Sequence, residues 1–301
     1  MIAYICSMFT NLHSPLEKLD HPLLSQLWVK RDDLIDPYIS GNKWRKLKYL
    51  LAAAQSQNKN HLVTFGGAYS NHLVATASAA ARAGLKSTAF VRGEAVSNQM
   101  LLLCKLFGMN LIFTDRESYK NKPALFNGLF GHDPQAFFID EGGASAEAVR
   151  GCAELIRELP HGFDHIFCAA GTGTTAAGLL QGVKEQGLQT EVHVIPVLKG
   201  GAFITEEITR YTGRSSKLHV HTDYHFGGYA KTTEPLLIFM LDFISRYGLL
   251  IDPVYTAKLF FAIEDLASKG TIQKDAKILA VHTGGLLGIW GMQEKLDVIT
   301  Q

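Results

Sequence analysis

Lys43 lies in Gly41-Asn42-Lys43-Trp44-Arg45-Lys46, opening a segment whose apolar residues Trp44, Leu47, Leu50, Leu51 and Ala54 keep helical spacing. Asn42 suits an N-cap, which puts Lys43 in the first turn, against the positive end of the helix dipole. A lysine desolvated there has a lowered pKa and becomes a nucleophile. The same position on a solvated basic face, with Arg45, Lys46 and Lys48 beside it, would do nothing. Local sequence leaves both readings open.

A second feature is the run Cys168-Ala-Ala-Gly171-Thr172-Gly173-Thr174-Thr175-Ala-Ala-Gly178, between the apolar HIF and the helical LLQGVKEQ. A glycine-rich strand-to-helix turn aims unpaired N–H groups and hydroxyls at one point, the arrangement that holds a phosphate. The glycines could equally serve a tight turn alone. Gly171-x-Gly173-x-x-Ala176 meets the loose dinucleotide fingerprint, but the next strand, EVHVIPV, runs into Leu198-Lys199-Gly200 without the ribose-binding acid. No Gly-Lys-Ser/Thr follows either, which excludes a P-loop.

Three further clusters stand at junctions: Gly66-Gly67-Ala68-Tyr69-Ser70-Asn71-His72; His225-Phe-Gly-Gly-Tyr229 with Asp252-Pro253-Val254-Tyr255-Thr256; and Val281-His282-Thr283-Gly284-Gly285. Each has a plain structural use: helix capping for Ser70 and Asn71, a satisfied helix histidine for His72, packing for the tyrosines.

These clusters need a frame. Apolar β-branched runs alternate with helical stretches: HLVTF then SNHLVATASAAARAG, STAFVRG then SNQMLLLCKLFG, NLIFTD then ESYKNKPALFNGLFG. Parallel neighbours require such crossovers, so the fold class is α/β with mainly parallel sheets flanked by helices. The rhythm breaks at AFFIDEGGASAEAVRGCAELIRELP and resumes at HIFCAAG, EVHVIPV and KILAVHTGG. We expect two open twisted sheets: a large domain from residues 1–44 and 151–301, and a small one from 45–150.

At 301 residues, 47% hydrophobic and 19% charged, the chain can bury a substantial core. Lys and Arg total 29 against 28 for Asp and Glu, so no net charge draws it to nucleic acid or a membrane. Cys6, Cys104, Cys152 and Cys168 are widely spaced, without C-x-x-C or a paired-histidine zinc pattern near them. No metal is expected, and Cys104 and Cys168 read as buried thiols. The N-terminus MIAYICSMFTNLHS is unlike a signal peptide, and no run of eighteen apolar residues occurs. A cytoplasmic location is expected.

Taken in order, Ser14-Pro15-Leu16, Lys30-Arg31-Asp32-Asp33, GNKWRKL, GGAYSNH, GTGTT, DPVYT and HTGG resemble the fold-type II (tryptophan synthase β-like) pyridoxal 5'-phosphate (PLP) enzymes, specifically the 1-aminocyclopropane-1-carboxylate (ACC) deaminase and D-cysteine desulfhydrase family. Essentially the whole chain is covered. The resemblance implies PLP as cofactor, carried covalently by Lys43. By the same resemblance Lys46, Thr172, Gly173, Thr174 and Thr175 would hold the phosphate and Asn71 the ring hydroxyl. Ser70, Asn71, His72, Tyr229 and Tyr255 would meet a small amino-acid substrate, with Lys43, Ser70, Tyr229 and Tyr255 in the chemistry.

After the tyrosine of DPVY, ACC deaminases carry a glutamate facing the pyridine nitrogen; Thr256 here resembles the desulfhydrases, as does His72. The resemblance thus favours β-elimination from D-cysteine to pyruvate, ammonia and sulfide, with ACC deamination as the alternative. It also implies a homodimer. Two departures bear on the pocket: Tyr69 is bulky for its place, and HFGGYAKTTEP diverges from the family's tyrosine loop. They keep open a PLP-holding protein without turnover. A nucleotide-dependent oxidoreductase fails on the missing acid.

Overall fold

Ten strands pair into two sheets among residues 12–160 and 162–299, which the computed structural model describes. Cys6 and the N-terminal reading up to residue 11 lie outside the described residues. The larger sheet runs β1 (Leu16–Leu19), β2 (Leu27–Lys30), β10 (Ile278–Val281), β7 (His165–Ala170), β8 (Glu191–Pro196), β9 (Leu218–Val220), with β1 antiparallel to β2 and the rest parallel. The smaller runs β5 (Asn110–Thr114), β4 (Lys86–Arg92), β3 (His61–Gly67), β6 (Ala136–Phe138), all parallel. Helices cover both faces, which is why β3 and β7 read as continuous apolar runs rather than alternating ones.

The helices are α1 (Asn42–Ser56), α2 (Asn71–Arg82), α3 (Gln99–Leu106), α4 (Lys122–Phe130), α5 (Ala146–Arg157), α6 (Thr174–Glu185), α7 (Phe203–Thr212), α8 (Glu234–Tyr247), α9 (Thr256–Ser268) and α10 (Gln293–Ile299). In the larger sheet, Phe167 and Ile195 pack under α8 and α9, while Ile166 and Val194 on the other face pack under α5, α6 and α7. Phe65 stacks on Phe90 in the smaller sheet, ring centroids 5.0 Å apart.

The expected break in rhythm is not a break. Ala136–Phe138 is a three-residue strand that completes the smaller sheet beside β3, and Ser145 caps the next helix, its hydroxyl accepting from the Ala148 N–H. That helix, α5, is wedged between α1 and α6 at van der Waals contact of their backbones. A Cβ on Gly151 would stand 2.1 Å from the Arg45 carbonyl oxygen, and one on Gly178 would stand 2.3 Å from Cys152 Cβ. This packing fixes the helix bearing Lys43 against the one that follows the glycine-rich loop.

A buried ion network anchors α1 from the other side. Arg45 pairs bidentately with Asp32 and also with Glu158, which in turn meets Lys30 at 3.0 Å. Cys104, Cys152 and Cys168 are buried free thiols. Among the described residues no helix is long and apolar enough to cross a membrane.

Candidate active site

A cavity of about 580 Å³ opens where the carboxyl ends of strands from both sheets face each other. Gly67 and Arg92 line it from the ends of β3 and β4, Ala170 to Gly173 follow β7, and Thr283 to Leu287 follow β10.

Lys43 is the second residue of α1 and points into this space. Gly41 precedes it with φ +61°, and a Cβ there would collide with the Thr283 carbonyl. The same carbonyl accepts the Asn42 N–H, so the β10 loop is tied directly to the turn that presents Lys43. Gly41, not Asn42, is the N-cap; the Asn42 amide instead donates across to Thr175 Oγ1 at 2.9 Å. Burial, then the nearby positive charge of Lys46, pushes the Lys43 amine well below the ordinary lysine range. It is therefore available unprotonated, as nucleophile or base.

Lys46, one turn on, is buried and donates to the Gly142 carbonyl at 3.0 Å; burial lowers its pKa too. His72 is 2% exposed, with Nε2 2.8 Å from Thr64 Oγ1 and Nδ1 without a hydrogen-bond partner among the described residues. Burial, above all, pushes its pKa well below the ordinary histidine range and keeps it neutral. Ser70 takes the N-cap position of α2 without making the capping bond, which leaves its hydroxyl to the cavity it lines. Asn71 lines the same wall, and its buried Oδ1 also lacks a hydrogen-bond partner among the described residues.

Opposite stands the glycine-rich loop. Gly173 caps α6 at φ +78°, in the left-handed region that a non-glycine residue adopts only at a cost. Thr172, Gly173 and Thr175 line the cavity; Thr174 is buried behind them, its hydroxyl 3.1 Å from that of Thr172. The first N–H groups of α6 have no intrahelical acceptor and carry the positive end of its dipole.

Tyr229 and Tyr255 close a further side, edge to face with centroids 6.1 Å apart. Burial holds both phenols above their ordinary pKa, Tyr255 well above, with Tyr229 adding to it, so both are proton donors at neutral pH. Asp252 sets Tyr255: its carboxylate accepts the N–H groups of Val254, Tyr255 and Thr256 and the Thr256 hydroxyl. Lys258 sets Tyr229 from beneath, its buried ammonium donating to the carbonyls of Val197, His225 and Gly228.

Two sequence expectations change here. Thr256 does not reach the cavity: it is fully buried, and its hydroxyl is spent on Asp252 at 2.8 Å. Thr283, just after β10, is one of the hydroxyl residues on the wall, with Ser40, Ser70, Thr172 and Thr175. Tyr69 does not narrow the pocket either; it is 48% exposed and packs beside Gly291.

Several lining residues carried no recognisable motif. Arg92 and Lys122 meet Glu141 at 4.0 and 3.4 Å, and both lie over the Tyr119 ring. The one usable hint was the position of Arg92 at a strand's carboxyl end.

Residues 10–284 match the family described as pyridoxal-phosphate dependent enzyme. A Pyrococcus abyssi protein provisionally named 1-aminocyclopropane-1-carboxylate deaminase is 33% identical, over 93% of this chain and 91% of its own. The bifunctional mitochondrial D-cysteine desulfhydrase/1-aminocyclopropane-1-carboxylate deaminase of Arabidopsis thaliana is 31% identical, over 95% of this chain and 79% of its own. A crystal structure of an ACC deaminase homologue superposes with a TM-score of 0.84 at 29% identity, covering 99% of this chain and 98% of that one.

Proposed function

Since this chain belongs to the pyridoxal-phosphate dependent enzymes, in the group of ACC deaminases and D-cysteine desulfhydrases, we propose that it deaminates a small amino acid by α,β-elimination, with D-cysteine as the preferred substrate. The observation that carries the reading is the convergence of Lys43, Asn71, the Gly171–Thr175 loop and the two tyrosines on one cavity.

The cavity fits PLP on its own chemistry. Lys43 offers an unprotonated amine to an aldehyde, and the orphaned Asn71 Oδ1 offers an acceptor to a ring hydroxyl. The helix terminus at Gly173 with Thr172 and Thr175 offers donors to a phosphate. Lys46 adds a charge near that end while holding Gly142. When bound, PLP supplies the electron-withdrawing ring that stabilises negative charge on the substrate's α-carbon.

The protein's part is positioning and proton handling. Lys43 Nζ is the base for the α-proton. Ser70 and Asn71 at the start of α2 hold the substrate carboxylate. Tyr229 and Tyr255, protonated, hold the substrate from the other side, and one of them hands a proton to the departing sulfur. Arg92 and Lys122, balanced by Glu141, keep the rim polar.

The preference for D-cysteine rests on what faces the ring nitrogen. No carboxylate on the wall is free for it: Asp33 is held by Arg31 and His282, Asp140 and Glu141 by Lys122, and Glu207 lies beside Gly173 at the phosphate end. With Thr256 occupied, Thr283 takes that place in our reading, as a neutral hydroxyl. That environment suits removal of an activated α-proton. ACC, whose α-carbon bears no hydrogen, demands more of the ring.

The test is a panel of D- and L-cysteine, D-serine and ACC, assayed for 2-oxo acid, ammonia and sulfide. We expect turnover of D-cysteine above the others, and none in Lys43→Ala, which also loses the visible absorbance of bound cofactor. Turnover of ACC above D-cysteine overturns the substrate assignment, and absence of turnover throughout overturns the function.

A further inference from the structure

The parallel register of the larger sheet gathers histidines at the end away from the cavity. His165 opens β7 opposite Glu191, which opens β8; His193, two residues on, stands opposite His219 of β9. Register partners, and residues two apart in one strand, project from the same face. Three imidazoles and one carboxylate therefore share a patch.

Their atoms are closer than ordinary surface pairing requires. Glu191 Oε2 lies 3.3 Å from His165 Nδ1, 3.6 Å from His193 Nε2 and 3.4 Å from His219 Nε2, and the first two nitrogens are 3.0 Å apart. A tetrahedral zinc ion with N and O ligands at about 2.0–2.1 Å sets those ligand atoms about 3.3–3.4 Å from one another. The three edges among His165, Glu191 and His193 bracket that value. Their ligand atoms also satisfy the mutual proximity that one ion needs.

The surroundings have the character of an outer shell. His193 Nδ1, the nitrogen turned away from the triad, is 2.9 Å from His221 Nε2, and its ring stacks on Phe167 with centroids 4.3 Å apart, fixing its orientation.

We propose that His165 Nδ1, Glu191 Oε2 and His193 Nε2 form a Zn²⁺ site, with solvent completing the coordination. Binding displaces the proton shared between His165 and His193. The mixed imidazole and carboxylate set suits zinc over calcium or magnesium. The site lies at the opposite end of β7 from Gly171, about 20 Å by strand rise, so it ties β7 to β8 without entering the chemistry. No sequence motif announces it, because register and not local spacing brings the ligands together.

The experiment uses cofactor-loaded enzyme treated with a chelator, dialysed and titrated with ZnCl₂ by calorimetry, with metal content checked by elemental analysis. We expect one zinc per chain and a raised Tm on its addition. Glu191→Gln and His165→Gln should each weaken binding at least about tenfold and abolish the Tm rise. The visible absorbance of bound PLP, unchanged in both variants, reports that they are folded. Absence of stoichiometric zinc in the parent, or parental affinity in either variant, overturns the site.

Discussion

Removing Arg45 isolates one charge in the core. Arg45 and Asp32 are each 1% exposed, joined by Nε–Oδ2 at 2.5 Å and Nη2–Oδ1 at 2.7 Å. In Arg45→Met, Glu158 keeps Lys30, whereas among the described residues the Asp32 carboxylate keeps only the Ser14 hydroxyl at 2.6 Å. Breaking a buried pair on one side costs about 3–5 kcal/mol, most of it the penalty of the stranded charge. Urea unfolding of cofactor-free protein, so that ligand linkage does not enter, should show a loss of that size. Adding Asp32→Leu should restore much of it.

A loss below about 1 kcal/mol, or a double variant no more stable than the single, would refute the assignment of the energy to Asp32.

Gly178→Ala should destabilise by about 1–3 kcal/mol or more in thermal or chemical unfolding, since its Cβ would strike Cys152 Cβ and, at 2.7 Å, the Val149 carbonyl. Lys258→Met should leave PLP absorbance in place while lowering kcat/KM about 10- to 100-fold, because the Tyr229 loop loses its two bonds to Lys258, through the His225 and Gly228 carbonyls; parental kcat/KM would show the loop holds itself. With the Lys43 amine well below its ordinary pKa, the rate of PLP uptake by apoenzyme should rise with pH and level off well short of the usual lysine range. A rate still climbing there would show that Lys43 is solvated.

The α/β class and most elements were legible because buried parallel strands leave apolar β-branched runs between helical stretches. The segment 136–160 misled because a three-residue strand such as β6 is too short to show a period. Lys43, the Gly171–Thr175 loop and Tyr255 stood out because each occupies a junction where residue type is constrained. Thr256 was misplaced for a geometric reason: adjacency to Tyr255 along the chain does not put two side chains on one side of a helix start, and Asp252 turns the threonine inward. Arg92, Lys122 and Glu141 were silent, since their meeting depends on tertiary placement alone.

The order of the larger sheet has a consequence for how the chain is made. β10 lies between β2 and β7, so strands formed early and midway along the chain stay unjoined until residues 278–281 arrive. The loop that follows β10 supplies the Thr283 carbonyl against which Gly41 turns. A nascent chain can therefore complete β3, β4 and β5 on the ribosome, but it cannot seat Lys43 until residues 278–283 have been made. Cofactor capture is in that sense a report on β10, and a chain cut short before Ile278 would hold a finished small sheet and an amine with nowhere to point.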